Sequence, residues 1–313
     1  MPRDQKTRFP LERWLRSGIG WAGYAAIRAA AILPFEWQLA LAKPVGALGF
    51  HLFRARREIA RRNIAACFPQ LAEAEREALL RRHFEALGAS LFEMATGWFG
   101  APEKVRSRVE IVGAEHLAAA LERGKGVILF SAHFTTFEFF WPALKPLCPR
   151  LCGMYKEQRN AAANRMLSAG RLRSYDCLFE KTAVREMLRN LARNAVVWYA
   201  SDQSYGGKGS ELLPFFGVPA MTNTAIARIA RMSGAAVLPY FCRRLPNGRY
   251  EILIRAPLPD WPSGDDTRDT LAHLALLEEF IASCPEQYWW IHQRFKGRPA
   301  PLPDLYADTG AAR

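Results

Sequence analysis

From about residue 108 onward the chain alternates short, nearly all-apolar runs with stretches whose apolar residues recur at helical spacing. The runs are "VEIVG" (109–113), "KGVILFS" (125–131), "LCGMY" (151–155), "CLFE" (177–180), "AVVWYA" (195–200), "AAVLPYFC" (235–242) and "RYEILIRA" (249–256). A strand apolar at consecutive positions is buried on both faces, and that requires helices above and below the sheet. The expectation is an α/β fold, a mixed sheet covered by helices on both faces. Helices are predicted from about Thr136, over Asn160–Leu172, from Thr182 to Arg193, through "NTAIARIARMSG" to a C-cap at Gly234, and over Thr267–Ser283. Residues 201–221 read as a loop. Ahead of this α/β domain (108–299) a helical region is predicted over 54–107, broken at Phe68-Pro69. Residues 1–53 form a third unit, and 300–313 a tail.

The N-terminal unit reads as a membrane-associated helical segment. Ser17–Phe35 carries a single charge, Arg28, which costs about 2.5–3.5 kcal/mol at a bilayer centre on insertion scales. A second apolar arm, Trp37–Phe53, is broken by Lys43 and Pro44. Basic clusters flank both ends, so a hairpin, a re-entrant segment or a surface helix suits charge placement better than one crossing. A soluble helix pair packed on the core is the alternative. The chain has 43 Lys+Arg against 30 Asp+Glu, a net +13, and residues through Arg62 hold +8 of it. That surplus favours an anionic partner. No zinc-finger, RNP-like or helix-turn-helix pattern points to nucleic acid. The six cysteines, at 67, 148, 152, 177, 242 and 284, show no C-x-x-C and no repeat. They read as reduced core thiols, with neither a metal site nor a disulfide expected.

"ILFSAHFTTFEFF" (128–140) places His133 and Glu138 among apolar and hydroxylic residues. Five steps along a regular helix leave two side chains about 140° apart, so they converge only if His133 stays on the loop after the strand. Ligand sites in open α/β sheets lie beyond the strand C-termini. There His133 can act as a general base that Glu138 orients. Equally, Thr135-x-x-Glu138 is a capping box, in which Glu138 serves only the helix start.

Several blocks together resemble the late acyltransferases of lipid A biosynthesis, within the wider lysophospholipid and glycerolipid acyltransferases. "GKGVILFSAHFTTFE" is similar to the first block, with its H-x-x-x-x-D/E motif. "AGRLRS" (169–174), "VVWYASDQSYG" (196–206), "ARMSGAAVLP" (230–239) and "PEQYWWIHQRFKGRP" (285–299) follow in the family's order, after an early "RRNIAACFPQL" (61–71). Glu138 stands where many glycerolipid enzymes have Asp. The wider family's proline-glutamate-glycine-threonine block is absent.

The resemblance implies an acyltransferase catalytic domain over 108–299. A fatty acyl chain would pass from an acyl carrier protein thioester to a hydroxyl of a lipid A precursor, at the cytoplasmic face of the inner membrane, with no cofactor or metal. His133 would be the general base and Glu138 its orienting acid. Arg171 or Arg173, or backbone N–H groups near Thr135, would stabilise the thioester oxygen or bind phosphate. Asp202 would position substrate or the arginines, or else cap a loop. Gly206 would permit a tight turn, and His292 and Arg294 would receive phosphate or headgroup. The alternative reading is an acyl-CoA-dependent glycerolipid or lysophospholipid acyltransferase.

Overall fold

The computed structural model describes residues 18–158 and 161–309. The basic residues at 3, 6, 8, 13 and 16, Trp14, the side chain of Trp21 and the end of the tail lie outside the described residues.

Seven of nine described strands form one sheet. They are β1 (Val109–Val112), β2 (Val127–Ser131), β3 (Leu151–Tyr155), β4 (Cys177–Glu180), β5 (Val196–Ala200), β8 (Ala236–Arg244) and β9 (Tyr250–Ile254), in the order β1-β9-β8-β2-β5-β3-β4. The five strands from β8 to β4 run parallel. β9 runs antiparallel to β8, and β1 pairs parallel with β9. The sheet is therefore mixed, as the apolar runs implied. Alternation along β2 divides its side chains between two cores. Val127 and Leu129 join the aromatic-rich core against the N-terminal helices, while Ile128 and Phe130 join a second core with Met187 and Ile229.

The helices are α1 (Gly18–Ile32), α2 (Phe35–Leu52), α3 (Arg54–Cys67), α4 (Glu73–Phe99), α5 (Pro102–Arg106), α6 (Ala114–Glu122), α7 (Trp141–Leu144), α8 (Ala161–Arg171), α9 (Val184–Leu191), α10 (Ala225–Ser233) and α11 (Asp266–Ser283). No described helix is long and apolar enough to cross a membrane. Pro44, which interrupts the second apolar arm, lies inside α2, and the helix runs through it. Proline removes one helical hydrogen bond, and close packing on α4 supports the helix here. A Cβ on Gly46 would lie 2.4 Å from the Phe84 carbonyl oxygen, and one on Gly88 would lie 2.2 Å from that of Ala42. Buried Gln38 ties three helices together. Its Nε2 donates to Ala30 O and Leu33 O, and its Oε1 accepts from the Thr96 hydroxyl.

Three further expectations are corrected. The 201–221 loop contains a hairpin, β6 (Ser210–Phe215) and β7 (Val218–Asn223). Phe216 and Gly217, at φ 49° and 74°, make its two-residue turn. Pro214 opposite Pro219 reads as non-strand, but a two-stranded ribbon has only edges and tolerates both. No helix starts near Thr136; residues 135–139 are turns, and helix begins only at Trp141. Cys152 and Cys177 form a disulfide. They are direct partners on β3 and β4 with Cα atoms 4.8 Å apart, a proximity that a sequence gap of 25 residues conceals.

His273 on α11 lies stacked on Phe130 with ring centroids 4.2 Å apart, and neither of its ring nitrogens has a partner. Burial pushes its pKa down from 6.5 to about 3. His83 is likewise pushed by burial to about 4 despite its contact with Glu286 O. Below pH 6.5 the unfolded chain takes up protons that the folded one refuses. Stability is therefore full above that pH and falls as the pH drops towards about 3. His273→Phe is expected to flatten the decline of Tm between pH 7 and pH 4, measured by calorimetry. An unchanged slope would show that this ring does not contribute to it.

Candidate active site

β2 and β5 are parallel neighbours, and their last residues, Ser131 and Ala200, are partners in register. Two residues beyond those ends stand His133 and Asp202. Equal overhangs from paired strands place the two side chains together. Asp202 Oδ1 lies 2.8 Å from His133 Nδ1, and Asp202 Oδ2 accepts the His133 amide at 3.1 Å. One carboxylate thus holds both the ring and the backbone of the same residue. Burial alone would raise the Asp202 pKa. The charge of His133 and hydrogen bonds from its ring and amide outweigh burial and hold it at about 2. An ionised carboxylate only accepts, so Nδ1 carries the proton and the neutral ring presents the Nε2 lone pair. The His133 side chain is 23% exposed and that of Asp202 only 2%. The base is accessible and its partner is sealed.

Aromatic rings flank the imidazole. Phe137 and Trp198 stack on each other at 5.5 Å, and both stand edge-to-face to His133, at 5.7 and 5.6 Å. They confine the ring to one plane and lower the local dielectric.

Glu138 is not the acid that holds His133. Its Oε2 accepts from the indole N–H groups of Trp98 (2.8 Å) and Trp141 (3.3 Å). Its Oε1 accepts from Arg171 Nε at 2.9 Å and from Arg171 Nη2. The expected role is corrected because the turns at 135–139 carry Glu138 towards α4 and α8. The capping box is absent as well. Arg171 is the last residue of α8. Burial opposes its charge, yet the Glu138 carboxylate more than offsets this and raises its pKa.

Residues 6–297 match the family profile described as bacterial lipid A biosynthesis acyltransferase. The chain belongs to that family. It is 32% identical over 293 residues to the lipid A biosynthesis lauroyltransferase of Escherichia coli K12, covering 93% of this chain and 95% of that one. It is 31% identical to the palmitoleoyltransferase of the same organism, covering 93% and 95%. The myristoyltransferase is 26% identical, with 91% of each chain covered. A solved 1-acyl-sn-glycerophosphate acyltransferase from Thermotoga maritima overlaps with a TM-score of 0.37 at 13% identity, covering 86% of this chain and 99% of that one, too slight a likeness to bear on substrate. The protein is a lipid A biosynthesis acyltransferase by family, an O-acyltransferase.

Within this acyltransferase the remaining candidate residues fall in different places. Arg173 is exposed on the turn after α8. Gly206 stands in open space, where a Cβ would meet nothing within 4 Å, and it is not among the glycines of positive φ. Nothing in the turn requires glycine there. Arg294 is 1% exposed, with Nη1 on Met221 O (3.0 Å) and Nη2 on Thr222 Oγ1 (2.8 Å). A guanidinium so enclosed does not meet a phosphate, which corrects the headgroup assignment. His292 has a buried Nε2 without a partner, and burial pushes its pKa to about 4. It is neutral at physiological pH and makes a poor anion receptor, a second correction. The role of Trp98 escaped the sequence reading. Its residue type is common on helices, and its link to Glu138 spans 40 positions.

Proposed function

We propose that this acyltransferase moves a fatty acyl chain from an acyl carrier protein thioester to a hydroxyl of a lipid A precursor, with His133 as general base. The observation that carries the reading is the partly exposed imidazole whose Nδ1 is held by a buried, ionised carboxylate. His133 Nε2 accepts the hydroxyl proton as the oxygen attacks the thioester carbonyl. The C–S bond then breaks, and the imidazolium returns the proton to the departing thiolate. Asp202 keeps the ring in the reactive tautomer and favours the charge it gains. A direct attack is favoured because the sequence has no G-x-S-x-G elbow for an acyl-enzyme. Arg171 is engaged by Glu138, and the Thr135 amide by the Gln287 carbonyl. Of the sequence candidates for an anion, exposed Arg173 is the one assigned to the acceptor phosphate.

The reading also sets the enzyme on the anionic cytoplasmic face of the inner membrane. Trp37, Leu41, Leu48 and Leu52 form one exposed stripe of α2, at 64%, 40%, 58% and 64% exposure, next to exposed Phe53. Exposed Arg54 and Arg56 adjoin it. Apolar and basic residues side by side suit an interfacial helix.

The test incubates purified protein on anionic vesicles with carrier-bound or CoA-bound acyl donors, and with a lipid A precursor or a lysophospholipid as acceptor. Transfer from the carrier to the lipid A precursor, with protein co-sedimenting with vesicles, is expected. Acylation confined to the lysophospholipid from CoA would replace the reading with the glycerolipid one.

A further inference from the structure

Residues 285–296, within the last of the matching blocks, run beside both loops of the site and hydrogen-bond to each. We propose that this segment is a strap that sets the His133–Asp202 geometry, with Gln287 as its positioning residue. The inference rests on the reading of His133 as the base.

Gln287 is buried at 4% exposure, and its side chain behaves as an extra rung on the end of β8. Its Oε1 accepts from the Arg244 amide at 2.7 Å, and its Nε2 donates to the Arg244 carbonyl at 2.9 Å. Both contacts are to main chain, so they fix where the strap lies against the sheet. The Gln287 carbonyl then accepts the Thr135 amide at 2.7 Å. Two residues later the Trp289 amide donates to the His133 carbonyl at 3.0 Å, with Phe134 opposite Tyr288 between them. The catalytic loop has left the strand at His133 and does not enter a helix until Trp141, and its far end, at Glu138, is held by Trp98 and Arg171. This two-bond ladder ties its near end to the strap.

The other end of the strap holds the Asp202 side. Ser204 Oγ donates to the Lys296 carbonyl at 2.6 Å, two residues after the carboxylate. Arg294 fastens the same stretch to β7 through Met221 and Thr222. One continuous segment therefore grips both loops whose tips make the catalytic contact. Each loop is held at its start by its own strand end and farther along by Glu138 or by the Tyr205 amide on Met221 O. The strap supplies an anchor that both loops share, and Gln287 sets the strap's register on the sheet.

A base displaced by about 1 Å can lose a factor of order 10² in rate. Gln287→Met keeps the side-chain length and deletes both contacts to Arg244. It is expected to lower kcat by about 10- to 100-fold with KM within about twofold. The decisive reading is a double-mutant cycle with Asp202→Asn. If the strap acts through the pair, Gln287→Met costs less than about twofold once Asp202 is already lost. Wild-type kcat in the single variant overturns the inference, and so does an undiminished cost in the Asp202→Asn background. His133→Ala, run alongside, separates the two ideas. Turnover surviving there defeats the base reading itself, whereas a dead His133→Ala beside a normal Gln287→Met defeats the strap alone. If Gln287→Met melts below the assay temperature, Ser204→Ala at the exposed end replaces it in the same cycle. A severalfold loss of kcat that vanishes with Asp202→Asn supports the strap, and no loss overturns it.

Discussion

Replacing His133 with alanine is expected to lower acyl transfer by about 10²- to 10⁴-fold, the usual contribution of a positioned base, with a fall in Tm smaller than that of Glu138→Ala, because the buried Asp202 carboxylate keeps the backbone amide of residue 133. The side chain is partly exposed, and its polar contact is to Asp202. Deleting it removes no large part of the core. Asp202→Asn is expected to cost a comparable factor by a different route. The Asp202 carboxylate accepts from the His133 amide through Oδ2 and from Nδ1 through Oδ1. An asparagine there has one acceptor. If its oxygen keeps the backbone amide, its NH2 faces Nδ1 and drives the ring proton onto Nε2. The lone pair that would take the hydroxyl proton is then gone, although the geometry survives. Single-turnover rates with a carrier-bound acyl donor, beside thermal melts, check both variants. Asp202→Asn with normal turnover would show that the contact is incidental. Acid should not inactivate the enzyme through this carboxylate above about pH 4. Its pKa of about 2 keeps it ionised there.

How far this pair was legible in the sequence depends on which step is considered. "VILFS-A-H" and "VVWYA-S-D" both place a polar residue two positions past a buried strand. That equal overhang is visible in the letters. That the two strands are neighbours is not visible, because β3 and β4 lie between them in the chain and to one side of them in space. The nearby Glu138 was therefore the natural partner to expect, five positions away. A helix from Thr136 would bring Glu138 into play, but "FTTFEFF" makes turns whose amides bond locally and to the strap. β2, β3, β5 and β8 were legible because burial on both faces leaves a nearly continuous apolar run. The β6–β7 hairpin was not, because its two prolines hide a ribbon whose outer edges are unpaired. The disulfide was hidden for the same reason as the His133–Asp202 pair. Parallel pairing across a helix sets residues side by side with no mark in the spacing.

Glu138 yields the second large effect, and here it is expected on stability. The Glu138 and Arg171 side chains are 8% and 12% exposed. Glu138→Ala leaves a buried guanidinium without its counter-charge, a loss of about 3–5 kcal/mol in comparable buried pairs. Two indole N–H groups, on Trp98 and Trp141, lose their acceptor at the same time. The double change Glu138→Met with Arg171→Met removes both charges and should recover much of the loss, because two apolar side chains fill the space without an unpaired ion. The node sits where Gly170 of α8 lets the backbone approach the Trp98 ring: a Cβ there would lie 2.3 Å from it. Its failure would loosen α8 from α4 and shift Phe137, which lies one residue before Glu138 and stacks on Trp198 beside the base. Transfer should therefore fall in Glu138→Ala as well, in step with the drop in Tm, and return with it in the double variant. Calorimetry and turnover measured on the same preparations decide the point. A Glu138→Ala enzyme that melts like wild type yet does not turn over would mean that this carboxylate takes part in the chemistry, and the division of labour between Asp202 at the ring and Glu138 at the helices would be wrong.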